Sequence, residues 1–324
     1  MKKAILFILI IILLIPINIY AASDIDYYNV HIKEIKEYNP QFNIDYAKRL
    51  IRLNSNLKTA DILKKLYSSI DEYSKFYSSE ELGVNLFAKE DLVEQSVEYK
   101  ILDKFGYIII PSFYNGVYND VQLALEYMDE NQISNIIIDL RNNSGGEITE
   151  SIEIAKLFVK EGLIAKIDYY SEEIDDVEYY SNLKNIKYKV MVLINSETAS
   201  AAELLAGAIQ DSNSGTLVGQ QTFGKSRIQK YIPIMTEDAF IEVNKGLKEQ
   251  TVNLIKASEA GAVWDNLYLS GWAKITVGEF YTQNGCDIEG IGITPDCILN
   301  YKLSSLPVET LLLLLIPYYC DTLF

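Results

Sequence analysis

VMVLINSETASAAELLAGAIQDSNSGTLVGQQTFGKSRIQ, residues 190–229, decides how this chain is read. Lys189 to Ile194 reads as a strand and Ala199 to Gln210 as a helix. Gly215 to Val218 is a second short apolar run. Strand, helix and strand at this spacing indicate an α/β core whose loops carry the chemistry. The stretch offers two incompatible chemistries. Gly219 to Ser226 (GQQTFGKS) fits the phosphate-loop pattern G-x-x-x-x-G-K-[ST]. The same Lys225, with Ser200 upstream in TASAAE, instead suggests a serine hydrolase with lysine as general base.

The same alternation continues outward. Gly106 to Ile110 and Ile136 to Leu140 are apolar strands, and Val117 to Asn131 and Ile148 to Val159 are amphipathic helices. Towards the N-terminus the period becomes helical: Ile44, Ala47, Leu50 and Ile51 share one face, as do Ile62, Leu63, Leu66 and Ile70. Asn43 and Thr59 are plausible helix starts. Residues 237–269 follow no clear period and are expected to form a lid-like insertion. The run Thr310 to Ile316 is intensely apolar, but a membrane span needs about 20 such residues. It is expected to form a short helix from Pro307, docked on the core or on a second subunit.

Lys2 and Lys3, the apolar stretch Ala4 to Ile19 and the small residues Ala21 and Ala22 have the form of an export leader, cleaved or kept as an anchor. The formal net charge of −16 suits an exported soluble protein and disfavours polyanionic partners, nucleic acid included. Cys286 and Cys297 flank an expected hairpin, and either a pair or two free thiols fits three cysteines in all. No C-x-x-C occurs, so no structural zinc is expected. The single histidine, His31, reads as an exposed helix residue remote from every serine-bearing motif. Histidine-dependent hydrolysis is thereby set aside.

The flanks separate the two readings of Lys225. A phosphate loop must open a helix, because the helix N-terminus helps hold the phosphates. Arg227 to Ile234 alternates apolar and polar residues and includes Pro233, which is strand behaviour. Ile136 to Asp139 resembles a strand carrying a magnesium-binding aspartate, but it precedes the loop in an unusual order. The nucleotide reading is therefore not adopted. In the hydrolase reading, lysine acts only when neutral. Bringing a pKa of ~10.4 near neutrality means lowering it by about three, or roughly 4 kcal/mol. Burial supplies this by penalising the charged form. Phe223 and Ile228 lie near Lys225, and no acid occurs within six residues of it in sequence.

Ser200-Ala-Ala-Glu203 is also a capping box, which would explain the serine and the glutamate without catalysis. A serine at a helix start nevertheless sits beside free amides, and the Ala201 N–H is placed to stabilise an oxyanion. Ser144-Gly145-Gly146, following a buried strand, can bring a second donor or be a plain strand-to-helix turn. Spacing alone leaves both alternatives open.

Asp139-Leu-Arg-Asn-Asn-Ser-Gly-Gly146, Ser200-Ala-Ala-Glu203, Thr222-Phe-Gly-Lys225, Gln229 and Gly290-Ile-Gly-Ile-Thr-Pro-Asp296, in this order, resemble the C-terminal-processing (tail-specific) serine peptidases. Phe280 to Gly285, just before the last motif, and Asp71 to Glu81 in the helical region share the likeness. The resemblance implies a Clp protease/crotonase-like spiral core with an N-terminal helical subdomain. It implies Ser200 as nucleophile, Lys225 as general base and Gln229 as the residue orienting the lysine. It also implies an oxyanion hole from Ala201 N–H and an amide of Gly145 or Gly146, with neither metal nor cofactor. Family members commonly carry a PDZ domain before the first core strand. Here only about 24 residues separate Glu81 from Gly106, too few for one. The stretch from Gln229 to Trp272 is longer than the turn usual in such relatives.

These observations give the expected organisation: a leader at 1–22, a helical subdomain and linker at 23–99, a protease core at 100–305 and an apolar tail at 306–324. The expected activity is an exported serine endopeptidase acting on disordered or C-terminal parts of envelope proteins. Protein or peptide substrates are the expected partners, not nucleotides. Homo-oligomers through the C-terminal segment are also anticipated. A non-proteolytic binding module on the same fold, with a vestigial dyad, is the alternative.

Overall fold

The computed structural model describes residues 27–82, 96–237, 240 and 269–319. The expected leader, most of the 237–269 insertion and Cys320 lie outside them. The elements in chain order are α1 (Tyr27–Tyr38), α2 (Ile44–Leu53), α3 (Thr59–Tyr67), β1 (Lys75–Ser78), the short α4 (Ser79–Leu82), β2 (Glu98–Leu102), β3 (Phe105–Ile109), α5 (Val117–Glu130), β4 (Asn135–Asp139) and α6 (Ile148–Phe158). There follow β5 (Gly162–Tyr169), β6 (Val177–Ser181), β7 (Lys189–Ile194), α7 (Ala201–Asp211), β8 (Gly215–Gly219), β9 (Arg227–Met235), β10 (Leu269–Thr282), β11 (Cys297–Ile298), α8 (Tyr301–Ser304) and α9 (Val308–Tyr319). They form two compact units: residues 1–86 with 229–277, and residues 87–228 with 278–324.

The larger unit holds a six-stranded sheet in the order β11-β8-β7-β4-β3-β2, parallel except where β2 pairs with β3. From β3 through β4 and β7 to β8 the strands advance in one direction only. Right-handed crossovers then put the connecting helices on the same face. Burial agrees: Ile108, Ile136, Ile138, Val190, Val192, Ile194 and Leu217 share a core with residues of α5, α6 and α7. Side chains alternate across a strand, so Tyr107, Ile137, Met191, Leu193 and Val218 face the other way. That second face is covered by the chain's own C-terminal segment, through Leu299, Val308, Leu311 and Leu312. Of the expected C-terminal helix, Val308, Leu311 and Leu312 therefore dock on the core, while Leu313 is exposed.

Both faces of its central strands are buried, which is why β3, β4 and β7 read as continuous apolar runs. Several strands of the same unit were not anticipated, β2, β5 and β6 among them. β5 and β6 pair antiparallel, and β5 also pairs with the last residues of β10, Gly278 to Thr282. Their mixed burial gives no clean period, so residues 160–181 carried little signal. Cys286 and Cys297 do not flank a hairpin: Cys297 opens β11, parallel to β8, after an irregular loop. Both thiols are free.

The smaller unit contains α1 to α4, β1, most of β9 and the first part of β10, with β1 antiparallel to β10. Asn43 caps α2 as expected, its side chain accepting from Tyr46 N. His31 is a correction. It is buried, not exposed, with Nδ1 3.3 Å from the Tyr67 hydroxyl and its ring edge-on to Tyr27. A single polar residue on an otherwise periodic helix does not announce which face it occupies.

Candidate active site

The loops of interest leave the C-terminal ends of β4, β7 and β8, the edge where open parallel sheets usually place their ligands. After β7, residues 195–200 form a turn and α7 begins at Ala201. Ser200 stands at that junction with φ 56° and ψ −120°. This is sparsely populated for a residue with a Cβ, costs on the order of 1–3 kcal/mol, and persists only where the surroundings enforce it. An ordinary N-cap has extended backbone, so capping alone does not account for Ser200.

Glu203 does the enforcing. Its carboxylate is fully buried and accepts four hydrogen bonds. Oε2 accepts from the Ser200 N–H and from the Lys225 N–H, each at 2.8 Å. Oε1 accepts from Gly224 N–H at 2.8 Å and from the Thr222 hydroxyl at 2.5 Å. Two residues 25 positions apart in sequence thus share one oxygen, and their backbone nitrogens cannot be further apart than twice 2.8 Å. Burial pushes the Glu203 carboxyl up, against the four hydrogen bonds that pull it down. Sequence reasoning gave Glu203 only a capping role. A search for acids near Lys225 along the chain could not find one lying 22 residues upstream.

The loop 220–226 is pinned further. Phe223 N–H donates to Thr198 O at 3.0 Å, Thr222 N–H donates to Ile293 O at 3.1 Å while Ile293 N–H donates to the Thr222 hydroxyl at 2.6 Å, and Ser226 N–H donates to Glu289 at 2.8 Å. β9 follows directly, so no helix opens after Lys225, and the phosphate-loop geometry is absent. Lys225 itself is half-buried. Gln229 lies on β9, also half-buried.

The Asp139–Gly146 loop comes against Ser200 from the other side. Asn143 is fully buried; its side-chain N–H donates to Ile110 O, and its carbonyl accepts the Ala199 N–H at 2.9 Å. A Cβ on Gly145, at φ +105°, would sit 2.8 Å from Ser200 Cβ and 3.1 Å from Ala201 N. Only glycine allows this approach. The Gly145 N–H is already engaged, donating to Asn143 Oδ1 at 2.8 Å. Gly146, at φ +140°, lies against Phe113, where a Cβ would meet its carbonyl oxygen at 2.3 Å. Asp139 is not displayed towards a phosphate or metal: it is paired with Arg141 and accepts from the Tyr107 hydroxyl at 2.6 Å. Among the described residues no cluster of acidic, histidine or cysteine side chains could hold a metal ion.

Comparison with known proteins falls on this same architecture. Residues 104–299 match the model of peptidase family S41. A chloroplastic carboxyl-terminal-processing peptidase of Arabidopsis thaliana is 32% identical over 195 residues, 60% of this chain and 31% of that protein. The carboxy-terminal-processing protease of Bartonella bacilliformis is 27% identical over 64% of this chain and 42% of its own. The chain thus spans less than half the length of these relatives. Among solved structures, the photosystem II D1 C-terminal processing protease superposes with a TM-score of 0.51 at 23% identity, covering 70% of this chain and 54% of that one. A lipoprotein from Streptococcus agalactiae reaches 0.58 at 16% identity, over 89% and 96% of the two chains. At these identities the two structures show a shared fold. The one-directional sheet with its connecting helices on one face is a Clp protease/crotonase-like core, and the family match spans it: the chain belongs to peptidase family S41.

Proposed function

We propose that the chain is an exported serine endopeptidase that cuts peptide bonds in disordered or C-terminal regions of cell-envelope proteins with a Ser200–Lys225 dyad. The observation that carries this reading is the shared Glu203 oxygen, which holds the backbones of both residues beside one buried carboxylate. The strained backbone of Ser200 adds to it.

In this reading neutral Lys225 Nζ takes the proton from Ser200 Oγ as Oγ bonds to the substrate carbonyl carbon. The resulting oxyanion accepts from Ala201 N–H and from Gly146 N–H. Gly145, whose own N–H is bound to Asn143, serves by letting the loop approach. The C–N bond then breaks, and Lys225 returns the proton to the leaving amine. Water, deprotonated by Lys225 Nζ, attacks the acyl ester; the C–Oγ bond breaks, the acid leaves, and Lys225 returns the proton to Ser200 Oγ. Gln229 is assigned to orient Lys225, as the family resemblance implies. Export rests on the leader-like 1–22, and the substrate class on the names of the relatives.

The test pairs a serine-reactive fluorophosphonate probe with digestion of an unfolded model protein. Wild type should label at Ser200 and cut, whereas Ser200→Ala and Lys225→Ala should each abolish turnover. Normal cleavage by either variant, or no labelling of wild type, would sink the proposal, and the latter would favour the binding-module alternative. Mass analysis of the products tests whether cuts cluster near C-termini.

A further inference from the structure

Arg141 has no part in the chemistry above, yet it is one of the most fully engaged side chains in the larger unit. Nε lies 2.9 and 3.1 Å from the two Asp139 oxygens, and Nη2 donates to the same carboxylate at 2.5 Å. Nη1 points the other way and donates to the backbone carbonyls of Ser304 and Leu306, at 2.9 and 2.8 Å. Those carbonyls belong to the end of α8 and the turn before α9, where the backbone has few partners of its own. The pair is almost entirely buried, with Arg141 13% and Asp139 6% exposed. A buried ion pair is a weak source of stability compared with an apolar replacement, so its use here lies in geometry.

We propose that the C-terminal segment 300–319 is a working part of the active site, clamped to the Asn142–Gly146 loop by Arg141 as a positioning residue. One end of the clamp is the docked helix. Val308, Leu311 and Leu312 pack on the sheet face that includes Tyr107, and the Tyr107 hydroxyl donates to Asp139. The other end is the loop. Asn142 N–H donates to Asn195 Oδ1 at 3.0 Å, and Asn195 Nδ2 returns a bond to Asn142 Oδ1 at 2.8 Å. Asn143 and Gly145 then carry the contact to Ala199 and Ser200. Lifting α9 strands Arg141 Nη1 and frees the loop that closes the oxyanion site. The effect falls on turnover more than on substrate binding, because the loop meets the tetrahedral oxygen. That consequence for turnover rests on the peptidase reading; the clamp itself does not.

The test measures amide hydrogen exchange across residues 142–146, without substrate, in wild type, Leu311→Ala, Arg141→Met and the double variant. Each single variant should speed exchange there by about tenfold or more, and the double should be no faster than the quicker single, as expected for members of one network. Lys156→Ala, which removes an exposed ion pair with Glu153 on α6, should leave exchange unchanged. On a model substrate kcat should fall by about tenfold or more with KM nearly constant, the mark of an interaction made in the transition state. Arg141→Lys, which cannot reach carboxylate and carbonyls together, should recover little. Wild-type exchange at 142–146 in Leu311→Ala, or additive effects in the double variant, would overturn the clamp. A wild type with coupled exchange that cuts nothing would refute the peptidase reading and leave the clamp standing.

Discussion

Replacing Glu203 by glutamine keeps the shape of the side chain and changes one atom, and the structure says what that atom costs. Each carboxylate oxygen accepts from two donors, so an amide NH2 at either position faces donors. The less costly orientation keeps oxygen towards Ser200 and Lys225 and puts the NH2 towards Thr222, whose hydroxyl can turn to accept. Gly224 N–H is then left buried against another donor. One stranded donor costs about 1–3 kcal/mol. Glu203→Gln should therefore lower unfolding stability by about 1–3 kcal/mol at neutral pH, read by denaturant titration. Because Ser200 and Lys225 lose their common anionic anchor, kcat should fall by about tenfold or more with KM little changed. A variant with wild-type kcat and a stability loss under ~1 kcal/mol would refute the reasoning, since no network of four bonds could then be holding Ser200 and Lys225.

The same carboxyl makes a pH prediction. Burial raises its pKa above 4.5, so between that value and the raised one the folded chain holds a proton that the unfolded chain has lost. Its contribution to stability is full below 4.5 and is lost as pH rises through the folded value; Glu203→Gln should flatten that part of the wild-type profile. Gly145→Ala should abolish labelling of Ser200 while the chain still melts cooperatively, because a Cβ there meets Ser200 Cβ at 2.8 Å. Labelling at the wild-type rate would show that the approach is not required. Ile138→Ala, in the middle of β4 and 1% exposed, should cost about 2–5 kcal/mol in denaturant unfolding; a loss under ~1 would show a core able to collapse around it. Gln229→Ala should slow turnover without abolishing it, and an unchanged rate would remove its orienting role.

The α/β class was legible because buried parallel strands are written as local apolar runs: Ile136 to Leu140 lies within a residue of β4, and Lys189 to Ile194 coincides with β7. Candidate residues were legible for a similar reason, since each motif is a short contiguous string. β5 and β6 were not, being antiparallel and only partly buried, and His31 was placed on the wrong side of its helix. Neighbours along the chain set propensity and period, and these suffice to say that a strand, a helix or a serine at a helix start is present.

Which groups meet is set by closure of the sheet, and the chain order does not record it. Ser200 and Lys225 entered as a suggestive pair in residues 190–229, one of them shared with a phosphate-loop pattern. Folding brought β7 and β8 side by side, delivered the loops beyond them to one carboxylate, and turned a capping glutamate into their common anchor. It likewise brought Arg141 to carbonyls more than 160 residues away. Burial explains why such contacts are specific: a donor or charge removed from water must find its partner, wherever in the chain that partner lies.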